Sequence, residues 1–301
     1  MLWFALSIAC GPAPSPAPAP APPPTEPTAA PAPPAPEVPD LTPSTDAFVL
    51  ADRLQRAEAK ILDASVPDPE AAAWGHAQQR VLRVLAEDVV LADKVLAALK
   101  DPAVRSRTSL LLVATREIAM TAKPKTDLPN WRIVTPKPAA ELRALYAEAE
   151  AAHGVPWSTL AAIHLHETRM GRLRGVSPAG AQGPMQFMPA TWKAYGEGDV
   201  NDDRDAIRAA GNYLAKSGWA KDQAKAIWAY NHTQHYVTAV QKIALALDAE
   251  PGLYRGLWGW QVYYRTVQGA IWLGEGYASE ARQPIEAYCA TTDELHCPKI
   301  H

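Results

Sequence analysis

Apolar residues recur at three- and four-residue intervals through most of the chain, the pattern of helices that bury one face. Phe48, Ala51, Leu54, Ala57 and Ile61 mark a first helix. Val81, Leu82, Leu85, Val89 and Leu96 continue in a second segment, and Leu110, Leu111, Ala114 and Ile118 in a third. Pro67, Pro69 and Pro102 punctuate them. The stretch KPKTDLPNWRIVTPKP, 123–138, carries four prolines and reads as a linker. A helix follows over 139–153, ended by Gly154. Another begins near Pro156, Trp157 and Ser158 and ends at Gly171. Asp203, Asp205, Ile207, Ala210 and Leu214 describe one with acidic residues in its first turn and Gly218 after its last. Ala224, Ile227 and Trp228 form the core face of the next. Val237, Val240, Ile243, Ala244 and Leu247 form the last clear one. No run alternates with period two, so the fold class is mainly α with at most a small β element.

Composition changes this picture at the N-terminus. The chain has 301 residues, and fifteen of its 29 prolines fall within 11–43. Such a Pro/Ala run cannot bury a core and reads as a disordered tether, about 100 Å long if fully extended at roughly 3.1 Å per residue. Before it stands MLWFALSIAC, too short to span a bilayer. Its ending resembles a bacterial lipobox and makes Cys10 a lipidation candidate, although the leucine sits one place early and no basic residue precedes the apolar run. The alternative is an unremarkable apolar start. The division read from the chain is a signal-like segment 1–10, a tether 11–43, a helical region 44–122, a linker 123–138, a functional domain 139–250 and an aromatic-rich extension 251–301.

A net charge of −3 argues against nucleic acid or an anionic membrane surface as partner. Cys289 and Cys297 stand near the C-terminus. In an oxidising compartment they close a small loop worth roughly 2–3 kcal/mol; otherwise they are two reduced thiols. Their spacing matches no zinc pattern.

One residue breaks the hydrophobic pattern. In IHLHETRMG, 163–171, Glu167 falls on the stripe formed by Leu160, Ile163 and Met170. A carboxyl group there is partly desolvated and close to the negative end of the helix dipole. Both effects raise its pKa, toward roughly 6, where it can donate a proton near neutral pH. The following GVSPAGAQGPMQFMPATW, 175–192, begins with small residues whose backbone can approach a ligand closely. Metal motifs fail. The second histidine of HExxH would be residue 170, which is Met170. His164 and His166 read as buried histidines rather than ligands. The acidic run 197–205 lacks the glycine and glutamate of a calcium loop. No metal or cofactor is expected.

Glu167, the block Ser177 to Gln186, Ala229-Tyr230-Asn231 and Tyr236 together resemble the lytic transglycosylase domain of the soluble lytic transglycosylase type, related to goose-type lysozyme, over roughly 135–245. Pro184 and FMPATWKAYGEGD are also similar to the membrane-bound relatives of the B type. Thr168 stands where the family has serine. The resemblance implies a lysozyme-like helical fold and peptidoglycan glycan strands as substrate. It implies that Glu167 acts first as acid and then as base, cleaving the β-1,4 bond after N-acetylmuramic acid with formation of a 1,6-anhydro product. Substrate-binding roles carry over to Ser177, Met185, Gln186, Tyr230, Asn231 and Tyr236. It further implies the cell envelope or periplasm as location, with any membrane contact through a lipid on Cys10. Trp192, Tyr195, Trp219 and Tyr236 are candidates for stacking on sugar rings. Two rivals remain: a hydrolytic muramidase using Asp199, Asp202 or Asp203, and a non-catalytic peptidoglycan-binding scaffold.

Overall fold

The computed structural model describes residues 37–297; Cys10 and most of the Pro/Ala run lie outside them. Helices dominate. The first four are α1 (Ala47–Leu62), α2 (Asp68–Glu87), α3 (Val89–Ala98) and α4 (Pro102–Thr121). Each start has a local cause. Asp46 caps α1 by accepting from the N–H groups of Phe48 and Val49, Asp88 caps α3, and Asp101 with Pro102 opens α4. Ala51, Leu54, Ala57 and Ile61 are buried as their spacing predicts, and Leu50 is buried with them. Phe48 and Val89 are not: they are 78% and 58% exposed. Both sit in first turns, where side chains lean back toward the N-terminus and past the edge of the core.

Helices α5 (Ala139–His153), α6 (Trp157–Thr168), α7 (Pro189–Tyr195), α8 (Asp203–Lys216), α9 (Gln223–Tyr230) and α10 (Gln234–Ala249) follow. Gly154 ends α5 in the left-handed conformation, φ 69°. A 3-10 turn at Pro251–Leu253 leads into the short α11 (Tyr254–Trp258), and α12 (Ile285–Cys289) comes last. Trp228, expected in the core, is 45% exposed and packs edge-on against His232. On α9 the buried positions are Ala226 and Ile227.

Three two-stranded antiparallel sheets complete the fold: β1 (Asp127–Leu128) with β6 (Gln283–Pro284), β2 (Arg132–Ile133) with β3 (Leu173–Arg174), and the hairpin β4 (Val262–Thr266) with β5 (Gly269–Leu273). The 123–138 stretch therefore carries two strands, one of them pinned to the residues just after α6. The β4–β5 hairpin alternates Val262, Tyr264 and Thr266 inward with Arg265 outward. Cys289 and Cys297 form a disulfide, with Cα atoms 5.8 Å apart.

One hydrophobic core runs from Leu50 on α1 to Trp260 after α11, with α10 packed against both α4 and α6. Helix α11 meets α2 through glycine: a Cβ on Gly75 would stand 2.0 Å from the Gly256 oxygen. A smaller core gathers Leu128, Ile133, Tyr264, Ile271 and Ile285 under the hairpin. Residues 40–43 carry no regular structure, yet Asp40 pairs with Arg53 on α1.

Candidate active site

The stripe on α6 is as the spacing predicts. Leu160 and Ile163 are fully buried, Met170 nearly so, and Glu167 is half-buried among them. The helix stops at Thr168, three residues before Gly171. Arg169 and Met170 both adopt left-handed backbone, φ 55° and 60°. This conformation disfavours large side chains by about 1–2 kcal/mol each. The turn compensates by hydrogen bonding: the Met170 N–H reaches His164 O, and the Gly171 N–H donates to Thr168 Oγ1 at 3.0 Å.

Glu167 meets α10 directly. The Tyr236 hydroxyl donates to Glu167 Oε1 at 2.7 Å, while Oε2 has no protein partner among the described residues. Burial pushes the Glu167 carboxyl up to about 7. The Tyr236 hydrogen bond and the Arg169 charge pull the other way and lose. Tyr236 is fully buried, wedged between His166, whose ring lies edge-on at 4.6 Å, and Tyr230, parallel at 6.2 Å. It packs as core and presents no face to a sugar. Burial also holds His166 neutral, with its pKa down to about 3.

The 175–188 loop is fastened to this helix end. Thr168 Oγ1 donates to Pro184 O at 2.6 Å, so the hydroxyl kept at this position ties loop to helix. Tyr230 Oη donates to Met185 O at 2.8 Å. The Met185 side chain is fully buried, and its part is to anchor the loop from beneath. Gln186 sits at φ 50° with Nε2 donating to Gly183 O at 2.9 Å, and is half-buried within the loop. Strained backbone of this kind gathers at functional sites. Gly183 is required, because a Cβ there would lie 1.9 Å from Val200 O. Ser177 turns its oxygen inward, accepting from the Ala179 and Ala181 N–H groups. Asn231 caps α9, and its half-exposed side-chain amide makes no hydrogen bond among the described residues. Of the aromatic candidates, Trp192 and Tyr195 are half-exposed, whereas Trp219 is buried.

The acidic residues of 199–205 are engaged elsewhere. Asp199 accepts from the Asn201 N–H and Asp202 caps α8. Asp203 is buried and paired with Arg174 at 3.1 Å, beneath Gly171. Burial raises its pKa against the pull of Arg174. His164 shares a hydrogen bond with the Tyr146 hydroxyl at 2.7 Å, and burial lowers its pKa to about 3. Among the described residues, no three His, Cys, Asp or Glu side chains gather as a metal site. Arg169 went unnoticed in the sequence. Its guanidinium folds back on the carbonyls of Leu165 and His166 beside Glu167. Adjacency to the glutamate at a helix end was the available signal.

A membrane-bound lytic murein transglycosylase F of Thiobacillus denitrificans is 31% identical over 124 residues, 38% of this chain and 26% of that protein. The match thus spans about a quarter of the relative's length. The Escherichia coli lytic transglycosylase SLT35 in complex with bulgecin A aligns at 16% identity, covering 65% of this chain and 92% of that one, with a TM-score of 0.36. Residues 144–250 match the family described as the transglycosylase SLT domain, with Glu167, the 177–186 block, Tyr230 and Tyr236 all inside the match. Over that segment, about a third of the chain, the protein is similar to the transglycosylase SLT domain.

Proposed function

We propose that the protein is a peptidoglycan lytic transglycosylase and that Glu167 performs both proton transfers. The observation that carries the reading is a half-buried carboxyl group with a pKa near 7, one oxygen held by Tyr236 and the other open. In the first step, the bond between C1 of N-acetylmuramic acid and the bridging oxygen breaks. The proton on Glu167 Oε2 passes to that oxygen as it leaves. In the second step, the muramic C6 hydroxyl attacks C1 and its proton returns to Glu167. The product is a 1,6-anhydro sugar, and no water is consumed.

This chemistry uses one carboxylate where common glycosidases use two, about 5–9 Å apart. The engagement of Asp199, Asp202 and Asp203 in caps and an ion pair supports the single-acid reading over the hydrolytic one. Arg169 and Tyr236 hold the charge that appears on Glu167 between the two steps. Gln186 and Asn231 supply polar groups toward the sugar, and Ser177, Met185 and Tyr230 shape the loop that receives it. Trp192 and Tyr195 offer half-exposed rings for sugar stacking.

The envelope location and the lipid anchor at Cys10 belong to the same proposal, as does the six-part division of the chain. Among the described residues no helix is long and apolar enough to cross a membrane. Mass spectrometry of digested sacculi tests the reaction. Anhydro ends are expected; reducing ends would mean a muramidase, and a wild-type protein that binds sacculi without cutting them would be a scaffold.

A further inference from the structure

Trp131 belongs to the 123–138 stretch, outside the family-matched segment, yet it touches the loop that follows α6. Strand β2 pairs with β3 in the register Arg132 to Arg174, so one step along the antiparallel pair sets Trp131 opposite Gly175. The contact is close: a Cβ on Gly175 would stand 2.4 Å from Trp131 Cδ1 and 3.2 Å from its Nε1. Gly175 is not one of the left-handed glycines, so the approach of the ring alone excludes a side chain there.

The indole is braced from behind. Tyr264 on β4 meets it edge-on, with ring centroids 5.3 Å apart and planes at 90°. Trp131 O accepts from the Ser279 N–H at 3.1 Å, and Arg132 bridges to Ala278. The small core under the hairpin packs against the same ring. On the far side, Gly175 O accepts from Gln186 Nε2 at 3.4 Å, and that Nε2 also donates to Gly183 O at 2.9 Å. Gln186 keeps a left-handed backbone, φ 50°, a conformation that persists only where the surroundings enforce it. A run of contacts therefore leads from Tyr264 through Trp131 and Gly175 to the Gln186 amide.

We propose that Trp131 is a positioning residue for glycan cleavage: braced by the C-terminal extension, its indole fixes Gly175 and, through the Gly175 carbonyl, the Gln186 amide. The proposal rests on the reading of the 175–188 loop as the receiver of the sugar. Misplacing a group at a reacting centre by about 1 Å costs up to roughly a hundredfold in rate. The linker and the extension then share in the reaction, although the acid and the loop both lie in the family-matched segment.

Two measurements on the full chain test the idea: steady-state cleavage of solubilised peptidoglycan, and hydrogen exchange of the 175–187 amides without substrate. Trp131→Ala should lower kcat at least tenfold with KM changed less than threefold, and should speed exchange at Gln186 and Phe187. Trp131→Phe keeps a ring between Tyr264 and Gly175 and should recover most of the rate. Ile285→Val loosens the small core without touching Gly175 and should leave kcat within twofold. In a Gln186→Ala background, Trp131→Ala should cost less than a further threefold, because both changes act through one amide. The proposal is overturned if exchange in Trp131→Ala is unchanged, if Ile285→Val loses as much rate, or if the Trp131 and Gln186 effects multiply. It is also overturned if the loss falls on KM, which would make the indole a sugar-binding surface. A wild type that cuts no peptidoglycan overturns the enzymatic reading of Glu167 and this role with it; the exchange measurement, which needs no cleavage, tells that failure from a failure of the Trp131 contact.

Discussion

Tyr236 and Glu167, 69 positions apart, are joined by a hydrogen bond of 2.7 Å that links the start of α10 to the end of α6. The bond favours the carboxylate, and burial outweighs it, leaving the acid near pH 7. The pair therefore sets where along the pH scale Glu167 holds its proton.

Tyr236→Phe removes the donor and lets the Glu167 pKa rise further. The alkaline limb of sacculus cleavage should move to higher pH, because the general acid keeps its proton longer. The rate at the optimum should fall by about tenfold as the carboxyl group loses its orientation. A pH–rate profile checks both; an unmoved alkaline limb would contradict the coupling.

Glu167→Gln should abolish cleavage and stabilise the fold at high pH. The native carboxyl titrates near 7 against an ordinary value of 4.5. Between those values the folded state binds more protons than the unfolded one, so wild-type stability falls as pH rises through 7. The full cost is about 3 kcal/mol at 1.36 kcal/mol per unit, trimmed to about 1–2 kcal/mol by partial exposure. Denaturant unfolding at pH 8.5 should show the variant ahead by that amount, with the gap closing below pH 4.5. Equal stability at pH 8.5 would mean that Glu167 does not titrate near neutrality.

Thr168→Val deletes the buried hydroxyl that bonds Pro184 O and accepts from the Gly171 N–H. The cost should be about 1–3 kcal/mol, with a larger loss in kcat than in KM because the 175–188 loop is released from the acid's helix. Thr168→Ser retains both bonds and should keep activity and melting temperature close to wild type.

Gly183→Ala places a Cβ against the Val200 carbonyl at 1.9 Å, on backbone with φ 74°. Neither partner is a flexible side-chain end, so the loop must move. A loss of at least 2 kcal/mol is expected from strain of this kind, with sharply reduced cleavage, read by thermal melting and turnover.

The parts legible in the sequence are those with local causes. Helix α5 and its glycine stop follow from residues 139–154 alone, and the Glu167 stripe follows from a spacing of three and four. The hairpin was hidden because Tyr263, Ala270 and Trp272 place apolar side chains at positions opposite in parity to the inward Val262, Tyr264, Ile271 and Leu273. The aromatic run therefore shows no alternation. The end of α6 was set three residues late because left-handed backbone is not anticipated at arginine and methionine. Tyr236 is a stacking candidate by sequence, and nothing within its own helix reveals a partner 69 positions away. Phe48, Val89 and Trp228 show the limit of periodicity: it marks a face, while what covers that face is decided by other segments.

The packing of α10 between α4 and α6 bears on any attempt to isolate the catalytic part. A fragment trimmed to 139–250 would strip α4 from the helix that carries Tyr236. It would uncover a slab of aliphatic side chains and leave the hydrogen-bond partner of Glu167 on a loosened support. The family-matched segment is not a portable cassette; it functions as one wall of a larger building.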